Sequence, residues 1–143
     1  LPHLLARPEA HIVNVASMGA FVPVPGQTIY GASKAAVKLF TEGLHSELMG
    51  TRVGVTLAIP GATTTNIALN SGVMTRDLQE KADKEYKTTP ADVVARKFVN
   101  GMEAGKYRVL VGSDTKTMDL LHRLMPKRAA SIIYNQMKNL LPK

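Results

Sequence analysis

Two short apolar runs, His11-Ile12-Val13-Asn14-Val15-Ala16 and Val53-Gly54-Val55-Thr56-Leu57-Ala58-Ile59, constrain this chain more than any other feature. Both are rich in β-branched side chains, the pattern of strands buried on both faces. The first stops at Ser17-Met18-Gly19 and the second at Pro60-Gly61. Between them Pro23, Pro25 and Gly26 mark an irregular connection. Tyr30 to Met49 then carries Val37, Phe40, Leu44 and Leu48 at helical spacing, with Gly50 placed to end the helix at C′. A helix-length connection between two buried strands calls for a parallel pair joined by a right-handed crossover.

The same alternation continues. Thr89 is placed as an N-cap, Pro90 at N1 and Asp92 in the first turn of a helix that Gly105 ends, and a third strand is predicted over Tyr107 to Val111. Leu1 to Arg7 reads as the tail of a helix that begins upstream. Residues 61–89 are polar and read as a substrate lid, with at most a short helix near Met74 to Lys84. Residues 115–143 read as a C-terminal helical segment interrupted at Pro126, with Leu120, Leu121, Leu124, Ile132, Ile133 and Met137 on its apolar side. The result is a single α/β domain over residues 1–143. Its sites are expected at the carboxyl ends of the strands: Ser17, Pro60-Gly61 and Gly112-Ser113.

Charge and composition remove several classes of function. The 18 Lys+Arg exceed the 11 Asp+Glu by seven, but Lys116, Arg123, Lys127, Arg128, Lys138 and Lys143 stand against Asp119 alone near the C-terminus, so most of the excess is local. With 45% hydrophobic residues this is no disordered basic tail. The absence of cysteine excludes disulfides, thiolate zinc sites and a thiol nucleophile, and is compatible with a cytoplasmic location. His3, His11, His45 and His122 lack metal-type spacing, so no metal site is expected. Three Phe and four Tyr, none interleaved with a basic stripe, argue against nucleic acid as a partner. No apolar run approaches the roughly 18 residues of a membrane span.

Chemistry enters with Tyr30 and Lys34, four residues apart on one helical face, and with Ser17, thirteen residues before Tyr30 at the end of the adjoining strand. Tyrosine is a poor acid-base catalyst near neutrality because its unperturbed pKa is about 10. A neighbouring ammonium, or the positive end of a helix dipole, favours the phenolate. With a serine hydroxyl donating to a substrate oxygen, the set can move a proton to or from a carbonyl/alcohol pair. Tyr134 and Lys138 repeat the Tyr-x-x-x-Lys spacing, but Leu121 stands where a serine is needed and no strand adjoins them. The composition leads to an expectation of about 0.01 for the full Ser-Tyr-Lys spacing by chance.

Asn14-Val15-Ala16-Ser17, Tyr30-Gly31-Ala32-Ser33-Lys34 and Pro60-Gly61-Ala62-Thr63-Thr64-Thr65 resemble, in order and spacing, the Ser, YxASK and PGxxxT signatures of the short-chain dehydrogenase/reductase family. The resemblance implies a partial Rossmann-type doubly wound parallel sheet, of about three strands with flanking helices, and an NAD- or NADP-dependent oxidoreductase acting on a small carbonyl or alcohol. It casts Tyr30 as catalytic acid/base, and Ser17 as the group that orients the substrate carbonyl. Lys34 supports the tyrosine and binds the nicotinamide ribose. Tyr30, Lys34, Pro60, Gly61, Thr63 and Thr65 are then the cofactor-side residues, with Ser17 and Met18, and Met74 in the lid, on the substrate side. The family also implies a homo-oligomer paired through the helix containing Tyr30.

The family's Gly-rich TGxxxGxG turn, its NNAG strand and the asparagine it places upstream of the serine have no counterpart in these 143 residues. The resemblance therefore covers the C-terminal half of the family fold. It leads to two expectations: little activity for the 143 residues alone, and an uncovered edge on strand Ile12 to Val15. Gly19 stands one residue earlier than in many members. The alternative reading is a non-catalytic remnant of the same fold that binds a partner or an acidic membrane surface through Met118 to Leu141, where Leu, Ile and Met alternate with basic residues.

Overall fold

The computed structural model describes residues 1–70 and 88–138. After α1 (Pro2–Leu5) come β1 (Ala10–Val15), a 3-10 turn (Met18–Ala20), α2 (Thr28–Leu48) and β2 (Val53–Pro60). Two residue pairs, β3 (Thr63–Thr64) and β4 (Thr89–Pro90), flank α3 (Ile67–Asn70) and the segment outside the description. The chain ends through α4 (Ala91–Glu103), β5 (Arg108–Val111), α5 (Ser113–Leu124) and α6 (Pro126–Met137). The predicted order of strands and helices is the observed one. The lid helix expected near Met74 to Lys84 lies outside the described residues.

β1, β2 and β5 form a parallel sheet in that order, with Ile12 opposite Val55, Val15 opposite Ala58 and Pro60 opposite Val111. Leu57 and Ile59 of β2 are fully buried on the face that carries Val37 of α2, Phe21, Val22 and Ile133. Val53 and Val55 continue that face against Leu44 and Leu48. On the other face Gly101 of α4 packs so tightly on Val109 that a Cβ there would collide with it. Val109 is paired with Ala58, so α4 and α2 cover opposite faces and the sheet is doubly wound. Two crossovers that step the same way along the sheet with helices on opposite faces have opposite hands, so the expectation of right-handed connections throughout fails at one of them.

Three local expectations shift. On α2 the inward position after Val37 is Thr41, which is fully buried, while Phe40 is 65% exposed. The threonine is tolerated there because its hydroxyl donates to Val37 O (2.6 Å) and accepts from Asn14 Nδ2 (3.0 Å) on β1. Gly50 does not adopt the left-handed conformation expected at C′; instead the Thr51 amide and hydroxyl both donate to Leu48 O, each at 2.9 Å. Thr89 is not an N-cap: its amide donates to Ala62 O (2.9 Å) as β4 pairs with β3, and α4 begins one residue later than predicted, at Ala91. Gly105 does terminate α4 with a positive φ of 61°.

The C-terminal segment breaks at Pro126 as predicted, and Ile133 and Met137 of the expected apolar side pack inward, but Leu120, Leu124 and Ile132 do not. Leu120 and Leu124 are exposed, and Thr115 and Asp119 are buried in their stead. Asp119 accepts two hydrogen bonds from Arg108 on β5, at 2.6 and 3.1 Å, and Arg123 approaches it at 3.3 Å. A carboxylate held this way satisfies its lone pairs and can lie inward at little cost. Among the described residues no helix is long and apolar enough to cross a membrane.

Candidate active site

A parallel sheet brings the carboxyl ends of its strands to one edge, and here that edge collects the residues singled out from the sequence. Ser17 follows β1, where Ala16 donates its amide to Ala58 O at 2.9 Å. Pro60 and Gly61 end β2, and Gly61 donates to Val111 O at 2.8 Å. The 3-10 turn after Ser17 reverses the chain, with Ser17 Oγ accepting from the Gly19 amide at 3.2 Å. This lays Gly19 against the first turn of α2, where Tyr30 stands.

Glycine at position 19 is what permits the approach. A Cβ on Gly19 would lie 3.2 Å from Tyr30 Cε1 and 3.6 Å from Ser17 Oγ, so the serine and the tyrosine ring flank one atom-sized gap. One turn further along α2, Lys34 Nζ lies 5.8 Å from the Tyr30 ring centroid, within cation–π range. Tyr30 is 45% exposed, so its ring is open to a ligand from the strand edge. Ser17, Tyr30 and Lys34 thus come together. The decoy Tyr134 lies half-exposed on α6, away from the sheet edge.

The Pro60-Gly61 turn is held from below. Gly61 O accepts from Thr63 Oγ1 (3.0 Å), and Ala62 N donates to Asp114 Oδ2 (3.2 Å) at the start of α5. Thr65 Oγ1 accepts from the Ile67 amide at 3.5 Å and faces the start of α3. Met18 packs against the core cluster of Ala16, Phe21 and Leu57. Met74 lies outside the described residues.

A cavity of about 470 Å³ opens beside Tyr30, walled by Phe21, Val24, Pro25, Gly31 and Ala35, with His122 of α5 at its border. His122 rests on Phe21, with ring centroids 6.0 Å apart, and its Nδ1 is buried without a hydrogen-bond partner. The sequence offers His122 no metal-type spacing, and it gives no sign of a role for Asp114. Neither belongs to a local motif, and both reach the site only through the third strand and its following helix. The remaining histidines have ordinary partners: His3 with Arg7 (3.0 Å), His11 with Thr56 (2.8 Å) and His45 against Tyr107. Among the described residues no group of three or more acidic or histidine side chains could hold a metal ion.

Comparison with known proteins agrees with this arrangement. Residues 1–75 match the family model described as short chain dehydrogenase. The oxidoreductase SadH of Mycobacterium tuberculosis is 38% identical over 131 residues, covering 87% of this chain and 48% of SadH. Sulfoacetaldehyde reductase of Chromohalobacter salexigens is 44% identical over 92 residues, 64% of this chain and 35% of that protein. Among solved structures, a short-chain dehydrogenase from Burkholderia cenocepacia in complex with NADP superposes with a TM-score of 0.71 at 24% identity, covering 95% of this chain and 51% of its own. One from Burkholderia phymatum in complex with NAD superposes at 0.67 and 27% identity, covering 86% and 52%. The chain spans about half the length of SadH, and within that span, from the family model through the sheet to the serine–tyrosine pair, it belongs to the short-chain dehydrogenase family.

Proposed function

We propose that these residues form the proton-transfer half of an NAD(P)-dependent oxidoreductase that interconverts a carbonyl compound and an alcohol. The observation that carries the reading is that Ser17 Oγ and the Tyr30 ring both border the side-chain position of Gly19, with Lys34 one helical turn away. In the reducing direction the Ser17 hydroxyl donates to the substrate oxygen and fixes its position. Tyr30 gives its phenolic proton to that oxygen as it becomes an alkoxide, and the Lys34 ammonium stabilises the phenolate left behind. A nicotinamide bound here would supply the hydride for the carbonyl carbon, its own ring being oxidised, while Tyr30 supplies the proton.

The described residues fit the nicotinamide end of such a cofactor. In this reading Lys34 binds a ribose hydroxyl, and the Pro60-Gly61 turn, whose glycine side-chain position is taken up by Asp114 and Thr115, offers its backbone to the nicotinamide. Thr63 and Thr65 follow on the same edge. Pyrophosphate needs a glycine-rich turn at a helix N-terminus, and the described residues hold none. We assign that cradle to the part of the relatives' length which this chain does not span, so the 143 residues alone are expected to turn over little substrate. A homo-oligomer paired through α2 belongs to the same reading and is supported by Leu39 and Phe40, both exposed on its outer face.

The test is Tyr30→Phe in the full-length gene product. Carbonyl reduction should fall by at least about a hundredfold while dinucleotide affinity holds; turnover unchanged by the substitution would overturn the reading. A second reading, a basic apolar surface for anionic lipid, is favoured by one observation: Leu120 and Leu124 are exposed beside Arg123, Lys127 and Arg128. Flotation with phosphatidylserine vesicles, with and without residues 116–143, decides it. Equal flotation removes the lipid surface.

A further inference from the structure

The turn that ends β2 is gripped by the corner between β5 and α5, and the grip centres on one carboxylate. Asp114 Oδ2 accepts from the Ala62 amide at 3.2 Å. The peptide before it is fixed by the Gly61 amide, which donates to Val111 O at 2.8 Å; the same carbonyl accepts from Thr115 Oγ1 at 3.1 Å. The carboxylate, itself open to solvent, takes up the side-chain positions of two glycines: a Cβ on Gly61 would collide with Asp114 and Thr115, and a Cβ on Gly112 would collide with Asp114. Gly112 also turns the chain into α5 with a φ of 111°, a conformation that favours glycine and brings Asp114 back over the end of β2.

We propose that Asp114 is a positioning residue for the cofactor: it orients the Pro60-Gly61-Ala62 backbone against which the nicotinamide rests. The inference depends on the reading above that this turn receives the nicotinamide. A peptide amide committed to a carboxylate resists rotation, so the Ala62 peptide presents a set orientation to the ligand side. Thr63, whose hydroxyl donates to Gly61 O at 3.0 Å, locks the following residue in the same sense. Pre-set backbone of this kind lowers the ordering cost of binding. A displacement of even about 1 Å at a reacting group has large rate consequences. The charge of Asp114 is secondary to its acceptor oxygen, which separates this role from a general electrostatic one.

Two substitutions and three measurements test it in the full-length gene product. Asp114→Ala removes the acceptor; Asp114→Asn keeps a carbonyl oxygen of the same reach. Amide hydrogen exchange at Ala62 should be slow in the wild type and Asp114→Asn, and markedly faster in Asp114→Ala. The dissociation constant for NADH or NADPH, titrated by nicotinamide fluorescence, should rise about tenfold in Asp114→Ala and stay within about twofold in Asp114→Asn. KM for the carbonyl compound should hold in both variants. An alanine variant that frees the Ala62 amide yet binds dinucleotide like the wild type overturns the proposal, as does an asparagine variant as weak as the alanine one. A wild type that binds dinucleotide but whose turnover survives Tyr30→Phe overturns the proton-transfer reading and leaves Asp114 standing. A wild type that binds neither NADH nor NADPH overturns both.

Discussion

Arg108 on β5 and Asp119 on α5 form a paired, two-bond ion pair at 2.6 and 3.1 Å, with both side chains nearly enclosed. The guanidinium carbon also lies 6.0 Å from the centroid of the Phe21 ring, so one ion pair ties β5, α5 and the turn after Ser17 together. Removing one partner strands the other charge in a desolvated place, whereas replacing both by apolar groups of similar volume does not. Asp119→Ala should therefore cost about 3 kcal/mol or more, and Arg108→Met with Asp119→Leu should recover most of it. Urea denaturation midpoints of these two variants and the wild type measure this. A single variant as stable as the double one would show that the pair contributes nothing beyond its packing.

Gly101 sits under Val109 with no room for a Cβ. Gly101→Ala must push α4 off the sheet or twist Val109 from its rotamer, a cost of about 1–3 kcal/mol. Adding Val109→Ala makes room on the other side, so the double variant should lose less than the two single losses combined. A thermodynamic cycle built from thermal unfolding reads the coupling, and strict additivity would contradict the tight packing.

His11 donates from Nε2 to Thr56 Oγ1, because the threonine hydroxyl is itself committed to Lys106 O at 2.6 Å. Burial lowers the His11 pKa below 6.5, against a smaller upward pull from Glu9. In the unfolded chain the histidine takes up its proton near 6.5, before the folded one does, so protons favour unfolding just below that pH. The His11 contribution is fully present above about pH 6.5 and is lost as pH falls toward the folded value. His11→Gln keeps a donor without titrating. The slope of stability against pH just below about 6.5 should flatten in that variant, as followed by urea midpoints at each pH.

How far the chain was legible follows from the range of each signal. Ser17, Tyr30 and Lys34 were visible because a strand end and a helix turn placed them at fixed short spacings, and the structure brings them together. The strands read well because β-branched runs are local. What failed was choice between neighbours on a helix: Phe40 against Thr41, and Leu120 against Asp119, differ by one residue and about 100° of rotation. The hydrophobic choice looked right in each case. The polar residue went inward because Asn14 or Arg108, each on a different element, pairs with it. Asp114 escaped notice for the same reason, since its partner Ala62 lies 52 residues away.

Gly19 offers a direct test of the serine–tyrosine geometry that leaves both reacting groups in place. A methyl added there would stand 3.2 Å from Tyr30 Cε1, tighter than ordinary contact, so the ring must yield by a few tenths of an ångström. The φ of Gly19 is not positive, so alanine brings no backbone strain with it. Stability of Gly19→Ala should stay within about 1 kcal/mol of the wild type. A shifted phenol delivers its proton along a poorer line, so kcat should fall about tenfold in the full-length gene product with dinucleotide affinity unchanged. Steady-state kinetics alongside a dinucleotide titration separates the two. Unchanged kcat would mean that the Tyr30 ring is not held where the proton is transferred, and that Ser17 and Tyr30 do not act on a common oxygen from their present positions.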